Sequence, residues 1–365
     1  MTDLLRYFFS QKKLLVILFL FVFAGITTAT LWPFDFFPSN GANWIPNRSG
    51  IHFSKPGILV GATPLLAPNP GNFASIEVWL RSDEIWSSRS ILAFYEPSGS
   101  NRFRIRQWDG GLLVSRDFSR NPDSRIPQRI YAKRLFQRGV PLFLTITSSP
   151  SGTTIYVNAV KKQFFPGFQI WASDLSGQLV LGTSPVDFSP WRGDFYFLSL
   201  YASALSPEEV RLHYDSLSAS NFAPSAMLAA PFAQYSFAES SGKIAHSSVT
   251  SAPDLQIPEE FFVPGKPVLQ PPLTRYETTL AYYRDAIANV VGFVPFGFLL
   301  CTCLANTRFA RFAIFCSFLS GTLFSFLIEI AQAYIPQRDS GLNDVITNSL
   351  GALLGAFLAH RLQLR

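Results

Sequence analysis

The chain has 365 residues, of which 48% are apolar and only 15% charged, with a formal net charge of +6. That is too apolar for an ordinary soluble enzyme and too polar for a protein lying wholly in a bilayer. The basic residues are scattered, with no run of five or more, which argues against a nucleic-acid partner. The average conceals a split: 14–31 and 286–360 are very apolar, while 33–284 reads as a soluble domain rich in aromatics, Pro and Ser. Its basic-aromatic stretches "RFRIRQ" and "KRLFQR" alternate polar and apolar residues as solvated strand faces do, the rival reading being that such interleaving binds a polyanion. Cys301, Cys303 and Cys316 all fall in the C-terminal apolar part, so no disulfide holds the soluble-like part and it needs a conventional core.

In chain order, "LLVILFLFVFAGITTATLW" (14–32) follows Arg6, Lys12 and Lys13. It approaches the ~20 apolar residues that span a bilayer; a cleaved signal peptide is the rival reading. "GNFASIEVWLRSDEI" (71–85) alternates like a half-buried strand. "VPLFLTITSSPSGTTIYVNAVKK" (140–162) reads as two strands around a Ser-Pro-Ser-Gly turn. Residues 177–217 give two strands and then a short helix, with Ser206 as N-cap, Pro207 at the first position, and Glu208 and Glu209 in the first turn. Residues 218–275 are rich in Ser, Ala and Pro, and "VPGKPVLQPPLTRYE" (263–277) is a semi-rigid lead back to the membrane. Three further apolar segments follow: 286–305, broken by Pro295; 309–335; and the short, glycine-rich 345–362, which suits self-pairing as well as packing on its neighbours.

Basic residues near membrane segments mark the cytoplasmic side. Four spans with both termini in the cytoplasm place Arg6, Lys12, Lys13, Arg308, Arg311, Arg361 and Arg365 inside, and 33–284 and the 335–344 loop outside. Positions three or four apart share a helix face. One face then carries Asp285, Asn289, Gly292 and Phe296. A second carries Ser317, Gly321, Ser325, Glu329 and Gln332, and a third Asp344, Asn348, Gly351, Gly355 and Ala359. Each stripe is polar at its outer end and small towards the middle or inner end. Small residues let membrane helices approach closely, so the three helices pack tightly below and open into a polar pocket above. Ionisable groups inside a membrane are costly, which makes this cluster a candidate site. Arg338 is the nearest partner in sequence for Glu329.

The motifs "DAIANVVGFVPFGFLL" and "IEIAQAYIPQRDSGLNDVITNSLGALLGA" resemble the VanZ-like membrane family. The family pattern falls here on Asp285, Asn289, Phe293, Pro295, Phe296, Gly297, Glu329, Gln332, Arg338, Asp339, Asp344, Asn348 and Gly351. The likeness covers about 280–360, and "WPFDF" after the first segment resembles the end of the family's N-terminal helix, which favours a retained helix. The family takes its name from a protein linked to resistance to the glycopeptide teicoplanin, so the resemblance implies a bacterial cell-envelope protein. Ile76-Glu77-x-Trp79, Ile155-Tyr156-Val157-Asn158, Leu181-Gly182, Gly193-Asp194 and Leu205-Ser206-x-Glu208-Glu209-Val210 are similar to the laminin G-like or concanavalin A-like domain, a two-sheet jelly roll. The family often has Gly after Tyr-Val-Asn; here it is Ala159. "YSFAESSGKIAHSSV" (235–249) resembles the opening hairpin of the same domain type, which would either complete the sandwich edge or be a degenerate half-repeat.

The expected architecture is an α+β membrane protein. A four-helix VanZ-like bundle carries an extracytoplasmic β-sandwich between helices 1 and 2. The expected parts are 1–32 (N-terminus and first helix), 33–217 (sandwich), 218–279 (linker with a hairpin that completes the sandwich) and 280–365 (three helices). No motif implies a cofactor. His52, His213, His246 and His360 lack metal-ligand spacing, while Glu77, Asp83, Glu84, Asp187 and Asp194 are the acidic residues from which a loop calcium site would be drawn. The expected binding residues are Asp285, Asn289, Glu329, Gln332, Arg338, Asp339, Asp344 and Asn348. Three functions fit. In one, an envelope protein binds glycan or a partner through the sandwich and a lipid-linked envelope or exopolysaccharide precursor through the pocket. In another, a hydrolase or transferase uses Glu329 or Asp344 as acid or base and Arg338 to hold a phosphate or carboxylate. In the third, the membrane part is a structural anchor.

Overall fold

A computed structural model describes residues 11–96, 101–116, 128–219, 229–272 and 280–363. Arg6 and Arg365, used in the topology argument, lie outside the described residues. The chain forms two compact units: 38–266, and a helical unit built from the segments up to 37 and from 267.

The first unit is a two-sheet sandwich. One sheet has the order β1 (Ala42–Trp44), β2 (Ile51–Phe53), β13 (Gly193–Tyr201), β4 (Ser75–Ser82), β9 (Pro141–Ser149), β10 (Gly152–Val157), β11 (Val160–Phe165), with β14 (Ala233–Tyr235) also on β13. The other runs β15 (Ile244–Ala245), β16 (Leu255–Gln256), β3 (Leu59–Gly61), β12 (Gln178–Leu181), β5 (Ser88–Tyr95), β6 (Asn101–Trp108), β7 (Gly111–Arg116), β8 (Gln128–Ala132). Alternate residues of facing strands, among them Ile76, Val78, Leu80, Phe94, Phe103, Ile105, Val114, Leu144 and Ile146, meet in one core. Each such side chain contributes about 1.5–3 kcal/mol on burial. This core does the work that disulfides do in smaller secreted domains.

Strand β4 departs from the half-buried pattern its alternation predicts. Seven of its eight residues are buried, because helix α2 (Pro207–Ala219) lies over the outer face. Trp79, Phe143, Tyr196, Phe197 and Leu217 form a second apolar layer there, and Trp79 stacks on Tyr214 with ring centroids 5.7 Å apart. The start of α2 is a capping box. The Ser206 hydroxyl accepts the Glu209 N–H at 3.2 Å, and the Glu209 carboxylate accepts the Ser206 N–H at 2.7 Å. Under the helix, Glu77 is fully buried and accepts from the Tyr201 hydroxyl (2.9 Å) and from Thr145 (3.3 Å), with His213 Nδ1 at 2.9 Å. Burial, reinforced by this carboxylate, pushes the Tyr201 phenol well above its usual value, so it stays a donor.

"RFRIRQ" lies in β6, but "KRLFQR" follows β8 as a turn, with Arg134 in the left-handed region at φ 54°. The Asn158-Ala159 turn between β10 and β11 is left-handed at both positions, φ 52° and 61°. The chain thus keeps the two-residue turn whose twist suits a hairpin, without the expected glycine. Residues 235–249 do not pair as one hairpin: β14 joins one sheet, while β15 and β16 extend the other. The segment crosses between sheets and carries Tyr235, Phe237, Ala245 and Leu255 into the core.

The second unit comprises α1 (Lys12–Leu31), α3 (Leu280–Ala305), α4 (Ala313–Ala333) and α5 (Leu342–Gln363). All four are long and apolar enough to cross a membrane. Helices α3 and α5 begin before the predicted 286 and 345, because hydropathy marks the apolar part of a helix rather than its ends. Helix α3 meets α5 backbone to backbone. A Cβ on Gly297 would collide with the Ala352 carbonyl, one on Gly351 with Val290 O, and one on Gly355 with Val294 O. Helix α1 packs on this group through Phe19 against Phe296 (5.2 Å between ring centroids) and Phe23 stacked on Phe324 (4.5 Å).

Candidate functional site

Of the three predicted stripes, those on α4 and α5 face inward: Ser317, Gly321, Ser325, Glu329 and Gln332 are buried on one, and Asn348, Gly351, Gly355 and Ala359 on the other. The α3 stripe is only partly inward, with Phe296 buried and Asn289 half-buried. Asp285 and Gly292 are exposed, and nothing lies within 4 Å of a Cβ on Gly292; the inward positions are Phe293, Phe296 and Gly297. The extended N-terminal turns of α3 lift Asp285 to the rim.

The structure places seven of the eight predicted site residues in two groups, with Arg338 apart from both. Asp285, Asp339 and Asp344 line a cleft of about 390 Å³ between the N-terminal turns of α3 and α5. Asn289 adjoins it, donating its amide to Asp344 Oδ1 at 2.9 Å. The second group ties the helices together below. Glu329, 2% exposed, accepts the Gly341 N–H at 2.8 Å. The Gln332 amide donates to Thr30 O (2.9 Å), and the Asn348 amide to Ser325 Oγ (2.9 Å). Asn348 Oδ1 is buried with no partner among the described residues.

Arg338 is not the partner of Glu329. It donates Nε to Trp32 O and Nη2 to Ala29 O, both at 3.0 Å. These carbonyls end α1, where a cation complements the helix dipole. The carboxylate is satisfied locally by a backbone amide instead. The loop before α5 carries that amide, and the Pro-rich lead holds the loop: Gln270 N donates to Ser340 O (2.9 Å) and Leu342 N to Gln270 O (3.0 Å).

Other cleft-lining residues, Gln270, Tyr282, Ser340, Asn343 and Thr347, were not singled out in the sequence. Only Asn343 and Thr347 left a signal, flanking Asp344 at helical spacing; Gln270 is 71 positions upstream of Gly341, which it pairs with. No Lys or Arg lines the cleft among the described residues. Its chemistry is that of hydrogen-bond acceptors beside hydroxyls and amides, suited to polyhydroxyl or amino groups rather than to a phosphate.

The five acidic residues from which a calcium site would be drawn are each otherwise engaged. Glu77 faces His213; Asp83 and Asp194 face Arg81; Glu84 faces Arg192; Asp187 faces Arg104. Among the described residues no group of three or more His, Cys, Asp or Glu is placed to hold a metal ion.

Residues 205–363 match the VanZ/LLP1 family model, and residues 58–211 that of the concanavalin A-like lectin/glucanases superfamily. The curated Protein VanZ of Enterococcus faecium is 33% identical over 78 residues, 21% of this chain and 45% of that protein, so the chain spans under half the length of that relative. Among solved structures, a putative carbohydrate binding protein from Bacteroides ovatus is similar at 12% identity, over 60% of this chain and 58% of that one, with a TM-score of 0.38. The CBM40 of a Ruminococcus gnavus IT-sialidase, solved with α2,3-sialyllactose, is similar at 16% identity over 45% of this chain and 95% of that one, with a TM-score of 0.34. The chain joins a VanZ-like membrane-helix region to a concanavalin A-like, laminin G-like sandwich domain.

Proposed function

We propose that the protein sits in a bacterial cytoplasmic membrane with both termini inside and the sandwich outside. The sandwich binds cell-wall glycan or polysaccharide, or a partner protein, and the helices bind the sugar part of a lipid-linked envelope precursor. The topology is supported by Lys12, Lys13, Arg308, Arg311 and Arg361, which fall on one side when the four helices span in order. Glycan binding by the sandwich is supported by its match to a lectin superfamily model. The observation that carries the membrane-site reading is the convergence of Asp285, Asp339 and Asp344 on one cleft at a helix-end surface. Carboxylates there accept hydrogen bonds from sugar hydroxyls where a lipid headgroup lies.

The test is binding of a radiolabelled lipid-linked disaccharide to the protein in phosphatidylcholine nanodiscs. The expected result is saturable binding, reduced at least tenfold by Asp344→Asn and by Asp285→Asn. Binding no greater than to empty discs, or equal in both variants, would overturn it.

A second reading, a hydrolase or transferase, is favoured by Asp344 lying on the cleft wall within a bond of Asn289. Glu329 is tied to Gly341 and does not line the cleft. Turnover of the bound precursor, lost in Asp344→Asn but kept in Glu329→Gln, would establish this reading; binding without turnover would leave the first.

A further inference from the structure

The hairpin β6–β7 turns through Asp109 and Gly110, both in the left-handed region at φ 48° and 74°. The Gly110 carbonyl accepts the Leu135 and Phe136 N–H groups at 2.9 and 3.0 Å, so the "KRLFQR" turn is clamped onto the hairpin. Tyr131 lies against Gly111, where a Cβ would meet its ring, and its hydroxyl donates to Trp108 O at 3.1 Å. Trp86 stands on the other side of Gly110 with 76% of its surface exposed. Together these groups line a hollow of about 600 Å³. A second hollow of about 330 Å³ adjoins it, and the two share Lys133 and Arg134; Lys162 also lines the second.

Three features distinguish this surface. An indole face of that exposure has a hydration cost that an apolar sugar face would relieve. Lys133 and Arg134 are exposed and make no ion pair with any described residue, so their charge faces outward. Three cations stand against one lining carboxylate, Asp109, which gives the paired hollows a positive field. Two hollows that share Lys133 and Arg134 offer room for more than one sugar unit.

We infer that this double hollow is the binding site of an anionic polysaccharide, stacked on Trp86 and held by Lys133, Arg134 and Lys162. The inference rests on the reading of the sandwich as a glycan-binding domain. It names where the glycan sits and the charge it carries.

The test uses the full chain in phosphatidylcholine nanodiscs, with polygalacturonate, dextran sulfate, dextran and chitin oligosaccharides as probes. The variants are Trp86→Ala and the double Lys133→Gln/Arg134→Gln, all at exposed positions and checked for an unchanged melting midpoint. The expected result is binding of polygalacturonate, weakened at least tenfold in each variant, with a shallower salt dependence in the double variant. Wild-type affinity in either variant would overturn the site. Binding of dextran sulfate alone, indifferent to Trp86→Ala, would mean simple ion exchange and would also overturn it. Binding of dextran or chitin fragments without polygalacturonate would sink this inference while leaving the glycan-binding reading intact. Retention of no probe would sink both.

Discussion

At the scale of single residues, the structure replaces one expected ion pair with two separate devices. Glu329 serves the loop before α5 through Gly341, and Arg338 serves the end of α1 through two carbonyls. Glu329→Gln keeps an acceptor and should leave the melting midpoint nearly unchanged. Arg338→Gln loses two charge-assisted bonds at a half-buried position, each worth roughly 1.5–3 kcal/mol or less where solvent screens it, so it should lower the midpoint by several degrees. Because the two side chains do not touch, their effects should add within about 0.5 kcal/mol. A double-mutant cycle of thermal melts would expose a coupling larger than that, and such a coupling would restore the pair. Ala159 offers a second residue-scale test. It holds φ 61° while packing against the cluster of Tyr156, Tyr201, Leu205 and Val210. Glycine would relieve about 1–2 kcal/mol of left-handed strain and lose part of a methyl contact worth up to ~0.8 kcal/mol. Ala159→Gly should therefore stabilise the sandwich by about 0.5–1 kcal/mol, read from urea unfolding.

At the scale of elements, α3 and α5 are held by the absence of side chains. Gly297, Gly351 and Gly355 let one helix lie on the carbonyls of the other, which side-chain hydrophobicity cannot achieve inside lipid. Gly355→Leu should separate the pair and abolish monodisperse folded protein in detergent, assayed by size-exclusion profile and thermal melt. Gly292→Ala, on the same helix as Gly297 but facing open space, should be tolerated. If Gly292→Ala were as disruptive as Gly355→Leu, the packed face of α3 would include Gly292 rather than turn to Gly297. Helix α2 shows the same dependence on context. Its capping box is local, but its role as the lid over β4, and hence the burial of Glu77, exists only because the sheet presents Trp79 and Phe143 to it.

At the scale of the molecule, the sandwich unit is closed on itself. Its two ends lie side by side: Asn40 N donates to Glu259 O at 2.9 Å and Phe261 N to Pro38 O at 2.8 Å. Adjacent ends allow a domain to be inserted between α1 and α3 at little cost to either. A fragment spanning 38–266 should therefore fold alone with a cooperative melt and a β-type circular dichroism spectrum. A fragment ending at 217 lacks β14 to β16 and the buried Tyr235, Phe237 and Leu255. It should lose several kcal/mol of burial and fail to give a cooperative transition. Equal cooperativity in both would show that the crossing segment is dispensable.

What was legible in the sequence is what rests on local period and composition. Four apolar segments, alternating strands, the Ser206 cap and the inward stripes of α4 and α5 all follow from spacing, and each has its counterpart in the fold. What only the tertiary structure decided is which neighbours those residues meet. The near-complete burial of β4, the crossing of 229–266 between sheets, and the division of the polar cluster into cleft and tie depend on contacts between distant positions. So do the pairing of Gln270 with the 340–342 loop and the union of Trp86 with Lys133 and Arg134. A helical stripe fixes which residues share a face, but not the rotation of that face towards its partners. That rotation is set by where backbones approach most closely: α5 meets α3 through Gly351 and Gly355 of its predicted stripe, whereas α3 meets α5 through Gly297, one step round from its own.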